Sequence, residues 1–284
     1  MIFYMLIFVK FIGIIMAMKV SVSVLSYTNS LPFVYGILHS DMVGRINLGF
    51  DSTPAVCADK LVKGDVDLAL MPVIEIARLP YSEIISNYCI GSNGPVKTVL
   101  LVSNTPIDKV KGIYLDSFSR TSTVLAKILA EKFWRIEPEW IETNLDFNFE
   151  NIPAGYGAVV TGDKNFNLKY KFTIDLAEAW RDYTNLPFVF ACWVSPKKID
   201  SEFQEEFDNA LRFGVNHLEE AIKMHQKLNF PFEFIFNYLS NNISYMMDEQ
   251  KVKAMQLFFR LAMKKKLISE PVKPFNWNQQ TYYI

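Results

Sequence analysis

The sequence is poor in the residues from which most metal and redox sites are built. It has three cysteines, Cys57, Cys89 and Cys192, widely spaced and without a C-x-x-C pair. That pattern offers no zinc or dithiol motif and suits a reducing, cytoplasmic compartment. Its three histidines, His39, His217 and His225, fall in no metal-ligand spacing and read as surface residues. A metal site is therefore not expected. Basic runs are missing as well: beyond Lys264-Lys265-Lys266, which suits the C-terminal end of a helix, nothing provides a footprint for nucleic acid, and the formal net charge is −1. No repeat or low-complexity linker divides the chain.

What is present is apolar. Half of the 284 residues are hydrophobic and 14% are aromatic, enough for a substantial core in one large or two smaller domains and too much for a long disordered span. The first 17 residues, MIFYMLIFVKFIGIIMA, are apolar but lack a basic n-region, are interrupted by Lys10, and place Ile15 where a cleavage site needs a small residue. They also fall short of the about 20 apolar residues of a membrane span. MKVSVSVL looks like a natural start, so we read residues 1–17 as an extension ahead of Met18, with no stable membrane association expected. A membrane or export segment is the alternative.

From Lys19 the pattern alternates. KVSVSVL reads as a strand, Leu31 to about Ser40 as a helix with Pro32 in its first turn, and RINLGF as a second strand. Thr53 and Pro54 then open a helix that Gly64 ends, and VDLALMPV is a continuous apolar strand of the kind buried on both faces. A loop around Gly91, Gly94 and Pro95 feeds a further apolar strand. KGIYLD begins a fresh unit, followed by a helix capped by Ser119 whose apolar face is Val124, Leu125, Ile128, Leu129 and Phe133. GYGAVVTGD is a buried strand ending in a turn, and DLAEAWRDYTNLPFVFACWVS a short helix and a strand. After Pro196 the chain reads as wholly helical, with Ser201 and Gln204 as a capping box. The fold class is α/β with parallel pairing, in two lobes: residues 18–105 with 191–284, and residues 106–190. Ligands in open α/β sheets bind beyond the carboxyl ends of strands.

Four segments lie at such ends. In SYTNSLPFVYG, Tyr27, Asn29 and Ser30 occupy a strand-to-helix turn, where a well-placed Asn is either a turn device or a ligand contact. In GSNGPV, Gly91 and Gly94 permit close backbone approach and Ser92 adds a hydroxyl. In SFSRTS, Ser119 precedes the free N–H groups of Arg120, Thr121 and Ser122, a ready seat for an anion. In TGD, Thr161 and Asp163 flank a glycine, and Asp163 is the one carboxylate in these turns. Each has a plainer reading as a cap, a turn or a solvated charge. Together they describe a cleft for a small anionic molecule without naming it.

The ordered set SYTNSLPFVYG, GDVDLALMPV, CIGSNGPVKTVLLVS, DSFSRTS and DLAEAWRDYTNLPFVFACW resembles the chorismate dehydratases of the futalosine route to menaquinone, over nearly the whole chain from Lys19. The resemblance implies a two-lobed fold like a type II periplasmic binding protein, with a helical C-terminal segment and the substrate between the lobes. It implies removal of water from chorismate to give 3-[(1-carboxyvinyl)oxy]benzoate without a cofactor. It further implies that the enolpyruvyl carboxylate of the substrate takes the proton while Asn29 orients it, since the hydroxyls and amide of these motifs are poor bases. The 1,4-dihydroxy-6-naphthoate synthase of the same pathway shares that fold, with a histidine expected in its site; a non-catalytic solute-binding protein is the other alternative. Oligomeric state is not legible.

Overall fold

The structure, a computed structural model, describes residues 19–116, 119–144, 147–225, 230–268 and 272–284. The extension 1–17 with its proposed start at Met18, and Ser117-Phe118 of the SFSRTS motif, lie outside the described residues.

The first lobe opens with β1 (Val20–Leu25), a 3-10 turn at Thr28–Ser30, and α1 (Leu31–Leu38) with Pro32 at its start. A short α2 (Met42–Arg45) leads to β2 (Ile46–Asp51), then α3 (Pro54–Lys63) and β3 (Leu68–Pro72). α3 begins and ends as its sequence dictates. Thr53 Oγ1 accepts from the Val56 N–H at 3.3 Å, and Gly64, at φ 80°, takes the left-handed conformation that closes the helix. A 3-10 segment (Val73–Arg78) precedes β4 (Ser82–Ser92). The chain then crosses over. The second lobe holds β5 (Val99–Ser103), β6 (Gly112–Leu115), α4 (Arg120–Leu129), β7 (Glu139–Glu142), β8 (Tyr156–Thr161), β9 (Phe172–Asp175) and α5 (Leu176–Thr184). The return crossing is β10 (Phe188–Ser195), followed by α6 (Ser201–Asn216), α7 (Leu218–Met224), α8 (Phe232–Asn241), β11 (Ser244–Met246), α9 (Glu249–Lys264), β12 (Phe275–Trp277) and β13 (Gln280–Tyr282).

Among the described residues the strands form two sheets. The larger runs β13-β12-β4-β10-β3-β1-β2, with β11 also on β4, and the smaller runs β7-β6-β8-β5-β9. β1 pairs in parallel with β2 and β3, as expected, but β10 is antiparallel to β3 and β4, and β5 is antiparallel to β8 and β9. The antiparallel pairs arise because β4, β5 and β10 are the crossing segments, and a chain that enters a second sheet and comes back runs the return strand against its neighbours. These pairings also move the lobe boundaries. β5, inside the 18–105 segment, belongs to the smaller sheet, and β10 has joined the larger one by Phe188 rather than residue 191.

Three other expectations change. The C-terminal region is not wholly helical: β11, β12 and β13 thicken the edge around the 11-residue β4, whose two ends take β12 and β11 separately. α6 is capped by Asp200, whose carboxylate accepts from Phe203 N–H at 2.8 Å, and Gln204 turns to Glu83 and the Ile199 carbonyl instead of closing a box with Ser201. Phe133 leaves the apolar face of its helix and is 38% exposed, because the chain passes into a π turn at Ala130–Trp134 that rotates it outward, while Val124, Leu125, Ile128 and Leu129 are buried. One core spans both lobes. Trp180 of α5 meets Phe188 of β10 and Phe258 of α9 edge to face, at 5.4 and 6.1 Å between centroids.

Candidate active site

A cavity lies between the two sheets, at the strand ends where the motifs gather. From the first lobe, Leu25, Tyr27, Asn29 and Ser30 reach it from the β1–α1 turn, Pro54 from the start of α3, and Leu70 and Pro72 from β3. From the second, Ser119, Thr121 and Ser122 reach it at the start of α4, and Thr161 and Gly162 at the end of β8. The crossing segments close it with Ile90, Val96, Thr98, Val99, Phe190 and Ala191. Apolar walls therefore face a polar rim of amide, hydroxyls and helix N–H groups. That is the composition of a small-molecule site.

The start of α4 presents backbone N–H groups that no helix carbonyl takes. Its first intrahelical bond runs from Thr123 N–H to the Ser119 carbonyl at 3.0 Å, and the Ser119 N–H is taken by Asp116 O, so the N–H groups of Arg120, Thr121 and Ser122 have no partner within the helix. Ser119 sits at the cap position without capping: its hydroxyl donates to Ser122 Oγ at 2.7 Å, and no backbone N–H uses it.

The remaining motif residues stand elsewhere. Ser92 does not line the cavity; its hydroxyl donates to the Gly94 carbonyl within the crossing loop, where Gly94 at φ 127° holds a conformation that favours glycine. Arg120 points away from the cavity. Its Nη1 pairs with Glu75 at 2.8 Å and Asp59 at 3.3 Å, both in the first lobe, because the first residue of a helix projects about 100° around the axis from the second. Asp163 borders an adjoining opening that shares Tyr27, Thr161 and Gly162 with the cavity and adds Thr53, Asp116 and Lys164. There its Oδ2 accepts from the Thr28 hydroxyl at 2.7 Å and the Thr28 N–H at 3.1 Å, another contact between lobes.

No carboxylate or histidine lines the cavity among the described residues. Tyr27 is not a base either, since burial, with the nearby Asp116 and Asp163 carboxylates, pushes its phenol up to about 12. His39 stacks on Tyr35 and His217 on Phe213, away from the site. Sequence reasoning missed Thr98, Phe190 and the two buried tyrosines behind Asn29, Tyr238 and Tyr245, which come from the C-terminal segment. Only the position of Thr98 just ahead of β5 gave a signal. No helix among the described residues is long and apolar enough to cross a membrane.

Known proteins fit this geometry. The crystal structure of an Archaeoglobus fulgidus protein superposes with a TM-score of 0.69 at 16% identity, covering 89% of this chain and 100% of that one. The periplasmic aliphatic sulphonate binding protein of Escherichia coli gives a TM-score of 0.59 at 15% identity, covering 89% and 94%. The fold is that of the periplasmic binding proteins. A chorismate dehydratase from Campylobacter jejuni subsp. jejuni serotype O:23/36 (strain 81-176) is 32% identical over 129 residues, a match that spans 44% of either chain. The menaquinone biosynthesis family profile matches from residue 20 to residue 264, through both lobes and every motif that reaches the cavity; the chain is a member of that family.

Proposed function

We propose that this protein is a chorismate dehydratase, a carbon-oxygen lyase that converts chorismate to 3-[(1-carboxyvinyl)oxy]benzoate and water in the futalosine route to menaquinone. The observation that carries the reading is a cleft lined by a helix N-terminus, the Asn29 amide, hydroxyls and apolar walls, with no carboxylate or histidine among its described lining residues. Chorismate brings what such a cleft lacks. It has two carboxylates, and one of them, on the enolpyruvyl arm, can remove the ring hydrogen. The C–H pair becomes the new ring double bond, the neighbouring C–O bond breaks, and hydroxide leaves with a proton as water. The ring becomes aromatic, so the driving force is in the substrate. The protein contributes position and fixed dipoles: the α4 N–H groups with Ser119, Thr121 and Ser122 for a carboxylate, and Asn29, which donates and accepts at once, for the arm and the hydroxyl. Tyr27, Ser30 and Thr161 complete the polar rim, and Leu70, Ile90 and Phe190 receive the ring. No cofactor is required. The partial match to a curated dehydratase supports the choice, and all three histidines stand outside the cavity, which argues against the naphthoate synthase. Three free cysteines suit a cytoplasmic enzyme.

The test is to incubate the purified protein with chorismate and follow the enolpyruvylbenzoate product by chromatography. Conversion is expected, and Asn29→Ala is expected to keep the fold and to lose at least about tenfold in rate, equivalent to about 1.4 kcal/mol of barrier. Tight binding without turnover would favour a solute-binding protein, and wild-type rates in the variant would remove Asn29 from the mechanism.

A further inference from the structure

Behind Asn29 stand two tyrosines that no cavity-lining motif contains. Tyr245, on β11, is buried, and its hydroxyl donates to the Asn29 carbonyl at 3.1 Å. Tyr238, on α8, is also buried, with its hydroxyl 3.1 Å from Thr98 Oγ1 and beside the Asn29 side chain. A phenol in that place can accept from the amide nitrogen and donate to the threonine, and burial holds it neutral by raising its pKa well above the ordinary value. The amide is thereby backed from behind: one N–H is directed to the tyrosine and Oδ1 accepts from the Ser30 hydroxyl at 3.4 Å, while the second N–H and the remaining lone pair serve the cavity. β11 is itself fixed from below: Lys251, 2% exposed, donates from Nζ to Ser244 Oγ at 2.8 Å and to the Met246 carbonyl, the residues on either side of Tyr245.

We propose that Tyr238 and Tyr245 are positioning residues for Asn29: Tyr238 fixes which end of the amide faces the substrate, and Tyr245 fixes the backbone of the 3-10 turn that presents it. Neither lines the cavity. Their effect on catalysis passes through Asn29, so this inference rests on the dehydratase reading for its kinetic arm alone.

The experiment has two arms. In the first, the side-chain amide of Asn29 is followed by nitrogen–proton NMR in the substrate-free wild type, Tyr238→Phe and Tyr245→Phe. A moved or broadened Asn29 amide signal in Tyr238→Phe is expected, whether or not chorismate is the substrate. In the second, turnover of chorismate by Tyr238→Phe is expected to fall about tenfold in kcat with KM within about twofold, and the Tyr238→Phe/Asn29→Ala double variant to be no slower than Asn29→Ala alone. A purely structural tyrosine would instead give additive losses. Should Tyr238→Phe not fold, Tyr245→Phe is read the same way. If wild-type protein leaves chorismate untouched, the dehydratase reading fails and the NMR arm still decides the positioning. An unmoved Asn29 signal, or additive kinetics, overturns the proposal.

Discussion

Gly36 closes the stretch SYTNSLPFVYG, and the structure gives it a packing task. A Cβ at Gly36 would stand 1.9 Å from the Ala210 carbonyl oxygen, and one at Gly214 would stand 1.7 Å from that of Pro32. α1 and α6 cross at these two glycines with backbone against backbone, and no flexible side chain can yield. Gly36→Ala or Gly214→Ala is expected to destabilise the protein by about 3 kcal/mol, measured as a lowered denaturation midpoint, since overpacking here must push the helices away from each other. A loss under about 1 kcal/mol would show that the crossing relaxes cheaply. At this scale the sequence was legible where the place of a short side chain in a turn decides its surroundings. Asn29 in a strand-to-helix turn proved to face a cavity. Arg120 did not, because a motif records that a cation is present and leaves open which way it projects. Tyr238 and Tyr245 were illegible for another reason: as buried aromatics in helical and strand sequence they carry no mark that distinguishes a hydrogen-bonding hydroxyl from ordinary core.

The elements were read well where a local signal decides them. Thr53-Pro54 and Gly64 bound α3 as predicted, and β1, β3, β8 and α5 all form. Those missed depend on partners far along the chain: the 11-residue β4, whose end falls where a loop around Gly91 is expected, pairs with β10, and the short β7 is made by β6, β11 and β12 by β4, and β9 by β5. Asp175, where β9 meets α5, ties such a distant partner. Its Oδ1 accepts from Ala177 and Glu178 N–H at 3.0 and 3.3 Å, and its Oδ2 from Lys97 N–H at 2.7 Å, in the crossing segment where Lys97 takes φ 68°. Asp175→Ala is expected to cost about 2 kcal/mol by loss of the cap and of the acceptor for Lys97. Burial raises this carboxyl above its ordinary value of 3.8, against the lowering by the backbone N–H groups. The folded chain therefore holds the proton more tightly than the unfolded one. The associated stability is full below that value and is lost as pH rises through the folded pKa, so the gap between wild type and Asp175→Ala should widen as pH falls from 7 toward 4. Denaturation curves at the two pH values check the sign, and a gap that narrows on acidification would refute it.

At the scale of the whole molecule the cavity is flanked by side-chain bridges between lobes, and Arg120 makes one of them. On one side Thr28 holds Asp163; on the other Arg120 and Arg78 share Glu75, whose side chain is 4% exposed, and Asp59. A carboxylate so buried needs its cations, whereas Arg120 is 38% exposed and its pairing is discounted by solvent. Arg120→Ala is expected to loosen closure and raise the KM for chorismate about threefold with little change in kcat, and Arg120→Lys to stay close to wild type because a lysine still carries a cation from the second lobe to Glu75, which Arg78 of the first lobe does not. Glu75→Gln separates this from a direct contact. If Arg120 bridges the lobes, losing Glu75 must weaken substrate binding in the same direction as Arg120→Ala, and the double variant must be no worse than either. If Arg120 instead met a substrate carboxylate, freeing it from Glu75 would tighten binding. Small-angle scattering without substrate adds a measurement independent of turnover: the radius of gyration should grow in Arg120→Ala, and further when Asp163→Ala removes the second bridge. An unchanged radius in the double variant would mean that the shared core around Trp180 and Phe258 holds the lobes together without them.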